Sequence, residues 1–269
     1  MLSYPVIKYL QKFYANLPEP SKELFRSWRR FALRILGYSD YTRFILLGYP
    51  RTGSSYLAIG LQSCRGVEMH HEIFRASKRP YCQRGSSFEA IFSTFTDLRW
   101  PWIKAVGAKV FYEHLSEDEW QHFVEHQEFK ILHLLRRNRL RTLISLDIAM
   151  GNQQWNCSDN NELIPTKEKR VFLDPNSVFS RIEQLEQLEK IARMRFKRHA
   201  ILELYYEDMI VTPEATFEKI STFLNIPRIE FSKISMKKQN PEPLQILLTN
   251  YHDIEAALRA TKYEEYLEY

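Results

Sequence analysis

The 269-residue sequence predicts an α/β fold in which a central parallel sheet is flanked by helices on both faces. Two patterns carry this expectation. Short apolar runs of strand character alternate with longer runs whose apolar residues recur at helical spacing. The first strand-like run also ends in a glycine-bounded loop that opens directly into a helix, the start of a phosphate-binding unit. Strands separated by helices of this length pair in parallel, because each helix carries the chain back along the sheet.

Taken in order, Val6, Tyr9, Leu10 and Phe13, then Leu24, Trp28, Phe31 and Ile35, lie at helical spacing. Pro18 and Pro20 divide them into two helices, which form an N-terminal helical segment over residues 1–40. The run 44–47 reads as the first strand and is followed by the loop 48–53 and a helix over about 54–61. A second strand is apparent near Met69, and further strands are expected at 107–111, 130–135 and 200–205. Ser116 with Glu119 fits a capping box, and Asp174-Pro175 and Thr212-Pro213 each place a cap residue before proline at a first helical position. Val178, Phe179, Ile182, Leu185, Leu188 and Ile191 predict a long amphipathic helix, and Phe217, Ile220, Phe223 and Leu224 another. No repeat or linker interrupts this order, so residues 1–269 read as one domain.

Composition narrows the function. With 44% hydrophobic residues, a chain of this length supports a sizeable core without a metal or disulfide staple. The excess of 38 basic over 33 acidic residues, net +5, is too diffuse for a nucleic-acid partner but suits an anionic cofactor or substrate. Cys64, Cys82 and Cys157 are too widely spaced for a disulfide framework or a zinc site, which points to a reducing, cytoplasmic compartment. Lys8 and Lys12 interrupt the start, so neither a membrane span nor a secretory signal is expected. Peripheral membrane contact by the basic, amphipathic first 35 residues stays open.

Gly48-Tyr49-Pro50-Arg51-Thr52-Gly53-Ser54-Ser55 keeps both glycines and the last hydroxyl of the nucleoside-triphosphate loop, but Ser54 stands where its lysine belongs. That loss disfavours ATP or GTP chemistry. A cation remains at Arg51, so the fold reads as a P-loop-like sheet whose loop holds a different anion on its backbone N–H groups and helix N-terminus. A hydroxyl-capped turn between strand and helix is the plain alternative. Past the strand at 130–135, four arginines fall within Arg136 to Arg141. Guanidinium groups are always charged and bind phosphate in pairs of hydrogen bonds, which suits a phosphate site, although a solvated basic face is the usual reason for such a run.

The segment Tyr49-Pro50-Arg51-Thr52-Gly53-Ser54-Ser55-Tyr56 resembles the 5′-phosphosulfate loop of sulfotransferases that use 3′-phosphoadenosine 5′-phosphosulfate (PAPS). Arg137, followed eight residues later by Ser145, resembles their 3′-phosphate motif, and the stretch from Arg136 to Ser145 is similar to the bacterial carbohydrate and glycolipid branch related to nodulation-factor sulfotransferases. The likeness runs over about 42–265 and includes Val106-Gly107-Ala108-Lys109, Tyr206-Glu207-Asp208-Met209 and a tail from Asn250-Tyr251 to Thr261. It implies PAPS as co-substrate and no metal. Arg51, Thr52, Gly53, Ser54, Ser55, Tyr56, Arg137 and Ser145 would bind the donor, with Tyr56 packing on adenine. A carbohydrate or glycolipid hydroxyl would be the acceptor. The C-terminal R-K-G motif of the small-molecule branch is absent; Lys237-Lys238-Gln239 read either as late phosphate contacts or, the plainer alternative, as a solvated loop.

Sulfuryl transfer needs in-line positioning, charge stabilisation and a base for the acceptor hydroxyl. Met69-His70-His71-Glu72-Ile73-Phe74 resembles the element that places a glutamate near the acceptor in the bacterial branch. Glu72 is the expected base, with His71 and then His70 behind it, Arg51 the expected charge stabiliser, and Trp100, Trp102 and Trp155 possible walls of the acceptor pocket. A kinase with a degenerate loop and a non-catalytic nucleotide- or polyanion-binding module are the competing readings.

Overall fold

The computed structural model describes residues 18–82, 85–155, 165–230 and 239–268. Its centre is a five-stranded sheet of β1 (Thr42–Gly48), β2 (Val67–His70), β3 (Ala105–Phe111), β4 (Lys130–Leu135) and β5 (Ala200–Tyr205). The strand order is β2-β3-β1-β4-β5 and every pairing is parallel. Around it lie α1 (Glu19–Leu36), α2 (Ser54–Ser63), α3 (Phe88–Phe92), α4 (Glu117–Glu125), α5 (Arg139–Asn152), α6 (Val178–Arg195), α7 (Tyr206–Val211), α8 (Pro213–Leu224), α9 (Leu244–Leu247) and α10 (Tyr251–Leu258).

Alternation along β1 sends Phe44 and Leu46 to one face and Ile45 and Leu47 to the other. The first pair packs with Leu57 and Leu61 of α2 and with Phe217 and Ile220 of α8. The second joins an aromatic cluster that includes Phe74, Phe95, Trp120 and Phe123. Both faces are therefore covered, which is why the strands read as continuous apolar runs. A third cluster ties α5 through Leu140, Leu143 and Ile144 to Ile182 of α6 and to Ile254 and Leu258 of α10.

The connections locate the site. From β1 the chain proceeds to β2 on one side of the sheet, whereas from β4 it proceeds to β5 on the other. Neighbouring strands that send the chain in opposite directions leave a crevice at their carboxyl ends, where ligands of open α/β sheets bind. The loops that follow β1 and β4 are the two motifs singled out above.

The caps follow the sequence in part. Ser116 and Glu119 form the reciprocal capping box of α4. Pro213 occupies the first turn of α8, but the Thr212 hydroxyl donates to the Asp208 carbonyl and does not cap the helix. Asp174-Pro175 is a correction: α6 begins only at Val178, and Asp174 Oδ1 instead accepts the Asn176 N–H at 3.0 Å in a turn ahead of the helix. The second predicted N-terminal helix is α1, with Pro20 in its first turn, where a missing N–H costs nothing. The first predicted helix lies outside the described residues.

Candidate active site at the carboxyl edge of the sheet

The turn after β1 is tight enough to require its glycines. A Cβ on Gly48 would lie 2.7 Å from the Leu134 carbonyl oxygen, and Gly53 has φ +88° with the Tyr206 ring 2.6 Å from where its Cβ would be. Arg51 also sits in the left-handed region, at φ 69°, a conformation that costs a non-glycine residue and marks functional loops. The Thr52 hydroxyl closes the loop by donating to the Tyr49 carbonyl at 2.8 Å. No side chain caps the start of α2 at Gly53, which leaves the first-turn N–H groups of that helix as an anion seat.

Arg51 is the centre of the site. Its Nε donates to Ser145 Oγ at 3.0 Å, one Nη to the Trp155 carbonyl at 2.5 Å and the other to Gln239 Oε1. All three partners are neutral oxygens. Burial, and then the nearby Arg136 guanidinium, push its pKa down to about 10, so it stays cationic at neutral pH without a carboxylate beside it. Arg136 donates to the Arg51 carbonyl at 3.3 Å and lies 4.7 Å from the Tyr206 ring centroid. Gln239 adds a buried amide nitrogen with no hydrogen-bond partner, and Asn240 donates to Ser145 Oγ at 3.0 Å. Two cations and an unused donor converge where the resemblance puts an anion.

The remaining arginines of the cluster divide otherwise. Arg137 pairs with Asp208 through two bonds of 2.7 and 2.8 Å, is half exposed, and lies 4.2 Å from the Tyr205 ring centroid. Its guanidinium and the Ser145 hydroxyl therefore have different partners. Arg139 is held by Glu189 at 2.6 Å and by the Tyr266 hydroxyl at 2.8 Å, and Arg141 donates to the Glu242 carbonyl. These are framework contacts. The Glu207 carboxylate accepts the backbone N–H groups of Arg137 and Asn138 at 3.1 and 3.3 Å, which fixes the turn into α5.

A second group of charges lies beside the loop. In the parallel register, His70 of β2 is opposite Ala108 of β3, so Glu72 emerges next to Lys109. Lys109 is buried; its Nζ is 2.8 Å from Glu72 Oε1 and 3.4 Å from Ser55 Oγ. His114 Nδ1 accepts the Phe111 N–H at 3.1 Å, so the neutral ring carries its proton on Nε2, which lies 3.9 Å from Glu72 Oε2. Burial is the main influence that pushes His114 down to about 4, against the pull of Glu72. For Glu72, burial acts upward, but Lys109, His114 and Arg75 outweigh it and the net shift is downward. The carboxylate is thus ionised at neutral pH.

The other expected residues are placed differently. The His71 ring faces Gln62, with Nε2 3.3 Å from its Oε1. Tyr56 is half-buried, its ring 6.0 Å from that of Phe217 in the cluster beneath α2. Trp155 belongs to the site through its carbonyl, and its ring lies 5.8 Å from the Arg75 guanidinium. Trp100 and Trp102 do not: stacked at 5.1 Å, they precede β3 and so lie at the amino edge of the sheet, opposite the crevice. Lys237 and Lys238 lie outside the described residues. Sequence reasoning passed over Lys109, His114, Arg136 as a loop contact and Asn240. A lysine within an otherwise apolar strand was the one local signal, at Lys109. Among the described residues no group of His, Cys, Asp and Glu is placed to hold a metal ion.

Comparison with known proteins adds the following. No family profile matches the chain. Nodulation protein H of Rhizobium tropici is 24% identical over 240 residues, which covers 84% of this chain and 92% of that protein. Among solved structures, a sulfotransferase from Alicyclobacillus acidocaldarius aligns with a TM-score of 0.46 at 15% identity, over 81% of this chain and 96% of that one. A mouse sulfotransferase complexed with PAP aligns with a TM-score of 0.40 at 16% identity, over 75% of this chain and 65% of that one.

Proposed function

We propose that this chain is a sulfotransferase that moves the sulfuryl group of PAPS to a hydroxyl, with a carbohydrate or glycolipid as acceptor. The observation that carries this reading is Arg51, a partly buried guanidinium at the tip of the β1 loop whose three hydrogen-bond partners are all neutral. A cation taken out of water without a counter-charge is costly, and an anionic ligand on the loop removes that cost. A triphosphate would call for the missing loop lysine, whereas a 5′-phosphosulfate suits a loop with one arginine and the hydroxyls of Thr52, Ser54 and Ser55. The relative named for nodulation agrees with the branch that the stretch from Arg136 to Ser145 resembles, and this supports the sugar or glycolipid acceptor.

In this reading the loop and the start of α2 hold the 5′-phosphosulfate, Tyr56 packs on adenine, and Ser145 and Arg137 hold the 3′-phosphate. The acceptor O–H gives its proton to Glu72 as the acceptor oxygen bonds to sulfur. The bond from sulfur to the 5′-phosphate oxygen breaks, its electron pair stays on the phosphate, and Arg51 stabilises the charge that develops there. Lys109, drawn from Glu72 toward the sulfuryl oxygens, leaves the carboxylate more basic as the donor settles. His71 is a poorer choice for base than Glu72, since its ring is directed at Gln62.

Thermal shift with nucleotides tests the donor. Adenosine 3′,5′-bisphosphate at a hundredfold excess over its Kd should stabilise the protein by about 2.7 kcal/mol, a rise of roughly 5 °C in Tm for a chain of this size. AMP should do much less, and so should ATP with magnesium. An equal response to ATP would turn the assignment toward a kinase.

The Arg137–Asp208 pair supplies a sharper check on the 3′-phosphate. If Arg137 exchanges Asp208 for phosphate, Asp208→Asn removes a competitor and should tighten adenosine 3′,5′-bisphosphate binding by about two- to fivefold, the scale of an exposed ion pair. Calorimetric titration reads this directly. Weaker binding in Asp208→Asn, together with unchanged binding in Arg137→Ala, would move the 3′-phosphate to Arg136.

A further inference from the structure

The turn between β4 and α5 is held by a residue 128 positions away in sequence. Asn138, buried at the start of α5, has its amide committed at both ends. Its Oδ1 accepts the Arg141 N–H at 2.9 Å and so caps the helix, while its Nδ2 donates to the Tyr266 carbonyl at 2.9 Å. The Tyr266 hydroxyl in turn accepts a bond from Arg139 Nη1 at 2.8 Å. Tyr266 is itself buried, in the short helical turn Glu264–Leu267. Its ring belongs to the cluster that holds Leu140, Leu143 and Ile144 of α5, and it stacks 5.6 Å from the Tyr263 ring.

We propose that Tyr266 is a positioning residue for the 3′-phosphate site, an inference that rests on the donor reading above. Arg137 stands in this turn, and Ser145 lies two helical turns further along α5. In the free protein Asp208 holds the Arg137 guanidinium through two bonds. A phosphate that took the guanidinium over would end that restraint, and the clasp would then depend on what fixes the turn and the helix. Glu207 fixes the backbone N–H groups of Arg137 and Asn138. Tyr266 fixes the side chains of Asn138 and Arg139, where the helix that carries Ser145 begins. It therefore sets how Arg137 and Ser145 stand relative to one another, and a binding pair works only when its members are held within a fraction of an ångström of the productive geometry. Tyr266 acts through Asn138 and Arg139 and needs no contact with the donor. Since the 3′-phosphate is unchanged by sulfuryl transfer, its positioning bears on donor affinity and leaves the chemical step alone.

Calorimetric titration of the full chain with adenosine 3′,5′-bisphosphate and with AMP, which lacks the 3′-phosphate, tests it. Asn138→Ser keeps a capping oxygen and removes the donor to Tyr266, whereas Tyr266→Phe keeps the packed ring and removes the hydroxyl. Each should weaken the bisphosphate by about two- to tenfold, the scale of one hydrogen bond, while AMP affinity and turnover at saturating donor stay as in the parent. Should Asn138→Ser fail to fold, Tyr266→Phe decides alone. Equal loss for both nucleotides would reduce Tyr266 to a structural role and overturn the proposal. A preference for the bisphosphate that Tyr266→Phe keeps in full overturns this inference alone, and a parent that binds the two nucleotides alike overturns the donor reading together with it.

Discussion

Glutamine in place of Glu72 is expected to lower turnover by about 10²- to 10⁴-fold, the contribution of a positioned general base, while leaving donor affinity nearly unchanged. The amide keeps the size of the side chain and its reach toward Lys109 but cannot accept the acceptor's proton. His71→Ala should be near parental, because that ring faces Gln62. Full turnover in Glu72→Gln, with loss in His71→Ala or His114→Ala, would transfer the role to histidine.

The same cluster sets a pH signature. Lys109, His114 and Arg75 hold the Glu72 carboxyl below its ordinary value, so its charged form persists as pH falls and is lost only on passing that lowered value. The acid limb of kcat/KM is therefore expected below the usual carboxylate range. Lys109→Met removes the largest opposing charge and leaves burial less opposed, so the limb should move upward. A limb that stayed in place would separate Lys109 from the base.

Much of this arrangement was legible in the sequence wherever the signal was local. The strand at 44–47, the glycine pair of the loop and the helix beyond it are written in consecutive residues, and the structure adds only the steric reason at Gly48 and Gly53. The cluster from Arg136 to Arg141 was legible as a charge run but not as four separate fates. Which arginine meets Asp208, Glu189 or the Arg51 carbonyl depends on α7, α6 and the β1 loop, all distant in sequence. The Glu72–Lys109 pair depends likewise on the register of β2 against β3, which no neighbouring residue encodes. Trp100 and Trp102 show the converse. Aromatic composition suggests a sugar platform, but only the direction of β3 reveals that they stand at the edge opposite the crevice.

Alanine in place of Arg51 is expected to lower turnover at saturating donor by about 10²- to 10³-fold, because negative charge beyond that of the bound donor develops on the bridging oxygen beside it as sulfur departs. A group that only held the donor would act equally before and during the reaction, so its loss would appear in donor affinity and leave saturated turnover intact. Arg137→Ala is the control of that kind. It should weaken the donor by about 10- to 150-fold, the scale of a charge-assisted bond, with less effect on turnover. A structural role for Arg51 makes a different prediction. Its guanidinium is partly buried among neutral oxygens and its backbone is left-handed, so the free protein gains little from its charge. The Tm of free Arg51→Ala should accordingly hold near the parental value, while the rise produced by adenosine 3′,5′-bisphosphate shrinks. Arg51→Lys, which keeps a point charge without the planar fork, should recover part of the turnover. If Arg51→Ala and Arg137→Ala both reduced affinity alone, the loop would be a binding site without chemistry, and the non-catalytic reading would replace the enzyme.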